Sequence, residues 1–218
     1  VRRFINAKNS KEIIFTRNAS ESLNLLAYSL GELCINEGDE IIISILEHHS
    51  NMLPWRLLAK RKGATIKYLD CKEDGTLSIT DLKSLLNNKT KIVALSGMSN
   101  VFGTAINTKA FAEVIHDRGA LFVCDGAQSV PHMKTDVYDS DVDFLAFSGH
   151  KMMAEMGIGV LYGLSTYRYD LVGLLMHAEH LEDRMGVGPH TISVPRICPA
   201  DDISLDEFPD VLPDDIFC

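Results

Sequence analysis

Residue types able to do covalent and acid–base chemistry stand at the ends of short apolar runs in this sequence. Ser148-Gly149-His150-Lys151 follows the apolar run 143–147 without a gap. A lysine at a strand end projects into the crevice at a sheet's carboxyl edge, where α/β proteins hold ligands. Its amine condenses with a carbonyl cofactor when burial and neighbouring cations lower its pKa. Alone, the tetrapeptide is more often a solvated loop. Asp125 ends a second apolar run, before the small residues Gly126-Ala127 and then Gln128-Ser129. A buried carboxylate there pairs with the protonated nitrogen of a pyridine cofactor, and it serves equally as a helix cap or a metal ligand. The two strand ends together say more than either alone.

Three further segments bring chemistry to the same kind of position. Glu47-His48-His49-Ser50-Asn51 follows the run 40–45. Adjacent histidines rarely converge on one metal ion without a further ligand pattern. Stacking on a planar cofactor or acid–base work by one imidazole is the better functional reading, against a helix cap with two exposed rings. Thr16-Arg17-Asn18-Ala19-Ser20-Glu21-Ser22 opens a helical run, whose free N–H groups and hydroxyls can hold a phosphate; Ser20 as an ordinary N-cap predicts the same local structure. Ser99-Asn100-Val101-Phe102-Gly103 follows the run 92–96 and adds an amide.

The elements that must position these residues alternate. Amphipathic helices are readable at about 20–34, 51–62, 80–87 and 108–118, the last with Asn107 or Thr108 as N-cap and Gly119 just past its end. Strands are readable at 40–45, 65–69, 92–96, 120–124, 144–147 and 157–162. This order predicts an α/β fold, a mostly parallel sheet with flanking helices. After Gly163 the pattern changes. Five of the seven prolines fall in the last 30 residues, where one helix at about 170–184 gives way to loop-like sequence. The chain ends at Cys218 without a capping signal, which suggests a cut.

Composition excludes several classes. The 218 residues, 46% apolar and 23% charged, suit one globular domain, or one domain and part of a second. No run approaches a membrane helix and the N-terminus lacks a signal peptide's apolar core, so a cytoplasmic protein is expected. Five widely spaced cysteines suggest neither a disulfide framework nor a CxxC metal site. The net charge of −9 argues against a nucleic-acid binder; residues 201–218 hold seven acidic groups and no basic ones.

Five motifs in order, IIFTRNASESLNL, GDEIIIS with EHHSNMLPW, MSNVFGT, VCDGAQSVPHM and FLAFSGHKM, resemble the class V aminotransferase fold, most closely the Suf-type cysteine desulfurases. The match covers about residues 1–163 and implies part of a large domain that binds pyridoxal 5'-phosphate. Carried over, it makes Lys151 the lysine that condenses with the cofactor and Asp125 the partner of the pyridine nitrogen. His48 becomes the stacking ring and acid–base group, and Asn100 the contact to the ring hydroxyl with Gln128 near it. Ser20, Ser148 and His150 become phosphate holders. The resemblance also implies L-cysteine as substrate, sulfur transfer through an enzyme persulfide leaving alanine, a sulfur-acceptor protein and a homodimer.

The departures predict an impaired enzyme. None of the five cysteines matches the family's persulfide position, and the arginine that binds substrate carboxylate lies in a C-terminal region not found here. Ala154-Glu155-Met156 replaces the usual glycine- and proline-containing turn, so the loop after Lys151 is expected to differ. Residues 157–216, with GIGVLYGLSTYRYDLVGLLMHAEHLE and GVGPHTISVPRICPADDI, resemble instead a late barrel segment of the radical-SAM tyrosine lyase of hydrogenase maturation. The expectation is a chimera joined near 156–163, with 164–218 as a divergent tail, irregular or partly barrel-like. That tail has no cysteine triad for an iron–sulfur cluster.

Overall fold

The computed structural model describes residues 1–163. The expected helix at 170–184 and the partial barrel lie outside the described residues. The strands are β1 (Ile13–Thr16), β2 (Glu40–Ser44), β3 (Thr65–Leu69), β4 (Thr90–Ser96), β5 (Leu121–Asp125), β6 (Phe144–Ser148) and β7 (Gly159–Tyr162). The helices are α1 (Ala19–Tyr28), α2 (Leu30–Cys34), α3 (Leu53–Lys62), α4 (Ile79–Leu85), α5 (Thr108–His116) and the single turns α6 (Ser129–His132) and α7 (Val137–Ser140).

One sheet runs in the order β1-β7-β6-β5-β4-β2-β3. Strands β2 to β6 are parallel, and β7 is antiparallel to both β6 and β1. The expected mostly parallel sheet with flanking helices is therefore present. Its strands alternate between two buried faces. Ile42, Val93, Leu95, Phe122 and Leu145 face the side carrying α4 and α5. Ile41, Ile43, Ala94, Val123 and Ala146 face α1, α2 and α3. A central strand buried on both sides reads as an unbroken apolar run, which is why these strands are legible.

Several boundaries differ from expectation. The helix expected at 20–34 breaks at Ser29, whose hydroxyl donates to the Leu25 carbonyl at 2.6 Å and whose ψ of −74° turns the chain into α2. The expected strand 157–162 begins at Gly159. Strand β1, four residues in length, was not readable, because its pairing depends on β7, about 150 residues away. The expected N-cap of α5 is present, Asn107 accepting from the Ala110 N–H, but the helix ends at His116, two residues short of the expected 118, and Gly119 follows at φ +71°. No helix among the described residues is long and apolar enough to cross a membrane.

Candidate functional site

Connections after β2 and after β4 leave the sheet toward opposite faces, α3 on one and α5 on the other. Strand β4 also returns to the side of β2 away from β3. A crevice must open at the carboxyl ends of strands where neighbouring loops part in this way. A cleft of about 290 Å³ lies there.

All eight residues singled out from the sequence line this cleft. Ser20 comes from the first turn of α1, and His48 from the loop after β2. Asn100 comes from the loop after β4, with Asp125 and Gln128 from the end of β5 and the turn beyond it. Ser148 ends β6, and His150 and Lys151 occupy the single 3-10 turn that follows. Lys151 is the one lysine on the cleft among the described residues. It is exposed, so residues 1–163 do not supply the burial expected of it.

Asp125 is 4% exposed. Its Oδ1 accepts from the Ala127 N–H at 2.9 Å, and its other oxygen takes no hydrogen bond from the described residues. Burial raises the pKa of its carboxyl, against the Ala127 N–H and the charges of Lys151 and His48. Among the described residues no group of three potential ligands could hold a metal ion.

The N-terminus of α1 forms the facing wall. Asn18, not Ser20, caps this helix, accepting from the Glu21 N–H at 2.9 Å. Ser20 is therefore free to place its hydroxyl 2.6 Å from Ser50 Oγ. The Ala19 N–H donates to Ser148 Oγ at 2.8 Å, tying α1 to the end of β6. Gly159 makes that approach possible, since a Cβ there would stand 2.5 Å from the Asn18 backbone.

His48 caps the 3-10 turn at 49–51. Its Nδ1 accepts from the Ser50 N–H at 3.1 Å, with Ser50 Oγ 3.0 Å away. The ring of His49 stands 6.2 Å from it and tilted by 50°, so the pair does not converge. After Lys151 the chain takes an unusual course, with Met153 fully exposed at φ +62°. A methionine in the left-handed region costs roughly 1 kcal/mol.

Asn18, Ser50 and Ser96 also line the cleft, with Glu47 behind it, and nothing in the sequence marks them out. Serines and asparagines in loops are too common to stand out, and their partners are distant in the chain.

Comparison with known proteins follows the same lines. The aminotransferase class-V family model matches residues 1–183. A probable cysteine desulfurase of Halalkalibacterium halodurans is 52% identical over 167 residues, covering 77% of this chain and 41% of that protein. The structure of the cysteine desulfurase CsdA from Escherichia coli superposes with a TM-score of 0.73 at 38% identity, covering 74% of this chain and 41% of CsdA. The desulfurase of Thermococcus onnurineus gives 0.70 at 42% identity, covering 74% and 40%. The chain thus spans about two fifths of the length of the relatives it matches.

Proposed function

We propose, for a chain that belongs to the aminotransferase class-V family, that the cleft binds pyridoxal 5'-phosphate and serves a cysteine desulfurase of the Suf type. The carrying observation is the buried Asp125 carboxylate, with one oxygen lacking a donor among the described residues, on a cleft that holds a lysine. An unpartnered buried acceptor calls for a donor from a ligand, and a protonated pyridine nitrogen is one. The polar set around it fits the rest of the cofactor.

When bound, pyridoxal phosphate supplies a carbonyl carbon and an electron-withdrawing ring. Lys151 is the amine that holds the carbonyl end. Asp125 keeps the proton on the ring nitrogen; burial raises the pKa of its carboxyl, and the charge of Lys151 opposes that. His48 would stack on the ring and serve proton transfer, while Asn100 would contact the ring hydroxyl with Gln128 near it. Ser20, Ser148 and His150 hold the phosphate. Ser148 Oγ already accepts from the Ala19 N–H, so its own O–H is available to donate.

The activity we assign is sulfur transfer from L-cysteine, leaving alanine, with sulfur passing as a persulfide to an acceptor protein. A homodimer in the cytoplasm completes the reading. None of Cys34, Cys71 and Cys124 lines the cleft. Cys124 is buried and its thiol is pushed up, first by burial and then by Asp125 and Glu47. Residues 1–163 therefore supply no thiolate for the transfer, which supports a second reading as a cofactor-binding module without turnover. We assign 1–163 to the cofactor-binding domain and 164–218 to a divergent tail, and we read 157–216 as resembling the radical-SAM tyrosine lyase; the family match reaches residue 183.

The test is an absorbance titration of the purified chain with pyridoxal phosphate, then addition of L-cysteine. The expected result is a saturable visible band that cysteine alters, with alanine formation at background. Asp125→Ala should weaken binding at least about tenfold. Equal affinity in wild type and Asp125→Ala would overturn the assignment.

A further inference from the structure

Behind the cleft wall lies a buried carboxylate that the reading above leaves unused. Glu47 is 6% exposed, and each of its oxygens takes two donors. Oε1 accepts from Ser44 Oγ at 2.5 Å and from the Ser96 N–H at 3.0 Å. Oε2 accepts from Asn51 Nδ2 at 2.6 Å and from Ser96 Oγ at 2.8 Å. Asn51 is fully buried, and its Oδ1 accepts from Trp55 Nε1 at 2.9 Å.

The polarity of this network is fixed from both ends. An indole N–H and a backbone N–H can only donate. Asn51 must therefore turn its oxygen to Trp55 and its amide nitrogen to Glu47, and Glu47 must accept on both oxygens. The carboxylate joins the end of β2 to the end of β4, the two strands whose loops part to open the cleft. Its neighbour in the chain is His48. Because the Ser50 N–H donates to His48 Nδ1, the neutral ring carries its proton on Nε2.

We propose that Glu47 is a positioning residue that pins the loop after β2 across the parting of the strands and so holds His48 at the cleft as its Nε2–H tautomer. The consequence for cofactor binding rests on the reading of the cleft given above; the pinning does not.

Glu47→Gln keeps the shape but puts a donor on one side. Facing Ser96, the new amide meets a backbone N–H that cannot turn. Facing Asn51, it meets a side chain held by Trp55. In Trp55→Phe that hold is gone, Asn51 can flip to accept, and the double variant regains a consistent network. The experiment reads His48 ring nitrogen resonances in the chain without cofactor, then the affinity for pyridoxal phosphate. The account expects Glu47→Gln to shift the His48 resonances and to weaken binding about fivefold. Adding Trp55→Phe should move both back toward wild type, a non-additivity that a purely structural loss does not produce. Leu82→Ala, a core change on the far face of the sheet, should lower thermal stability and leave His48 unmoved.

Unshifted His48 resonances in Glu47→Gln, or a double variant worse than either single one, would overturn the proposal. If Glu47→Gln does not fold, Ser44→Ala removes the Oε1 hydroxyl donor from outside the cleft, and the same His48 shift, smaller in size, decides the matter. A wild-type chain that binds no cofactor would count against the cleft reading, while the His48 resonances would still decide the role of Glu47.

Discussion

Two kinds of titratable residue meet this sheet, and they face opposite requirements. Asp125 and Glu47 are carboxylates held at the carboxyl edge against the penalty of burial. His116, in the last turn of α5, sits at the other edge. Its Nε2 is 2.8 Å from Asp143 Oδ2 and its Nδ1 is 3.2 Å from Asp141 Oδ2, and Asp143 also accepts from the Phe122 N–H at 2.7 Å. Burial works against the charged ring, but Asp143 and then Asp141 prevail and raise its pKa. A raised pKa stabilises the fold fully below the unfolded value of about 6.5 and loses that contribution as pH climbs through the folded value. His116→Ala should therefore cost more stability at pH 6 than at pH 8, by about 0.5 kcal/mol for a pair this open to solvent. Urea midpoints at the two pH values measure it, and an equal loss at both would contradict the assignment.

Among elements, α1 decides whether the cleft has a second wall. Its first turn lies against β7 and β6 because residue 159 has no side chain and Ser148 accepts the Ala19 N–H. Gly159→Ala must push the Asn18 backbone away, and an overpacked site of this sort costs roughly 1–3 kcal/mol. We expect a lowered thermal midpoint together with weaker cofactor binding, both checked on one preparation. Unchanged binding in a folded variant would separate α1 from the site. The approach of α1 was not legible in the sequence. The unbroken apolar runs of β2, β4, β5 and β6, and the polar residue ending each, follow from burial on two faces and were. Strand β1, the break at Ser29, the cap at Asn18 and the bonds of Ser50 and Glu47 depend on partners distant in the chain, which local pattern does not report. Glu47 stood in plain view beside His48, but its type and spacing carried no sign that it turned inward.

At the scale of the whole molecule, the parallel strands β2, β4, β5 and β6 and the first turn of α1 bring five chain segments to one edge, and the parting of β2 and β4 leaves room between them. The assembly explains why residues between 20 and 151 in the chain meet on one cleft. Because residues 1–163 supply the cleft without a thiol on it, cofactor attachment rather than turnover is the property that tests the account. The most direct measurement is reduction of the pyridoxal phosphate-loaded chain with borohydride, followed by peptide mapping. The account predicts one stoichiometric adduct, on Lys151, that disappears in Lys151→Ala. An adduct on another lysine, or the same labelling in Lys151→Ala, would contradict it.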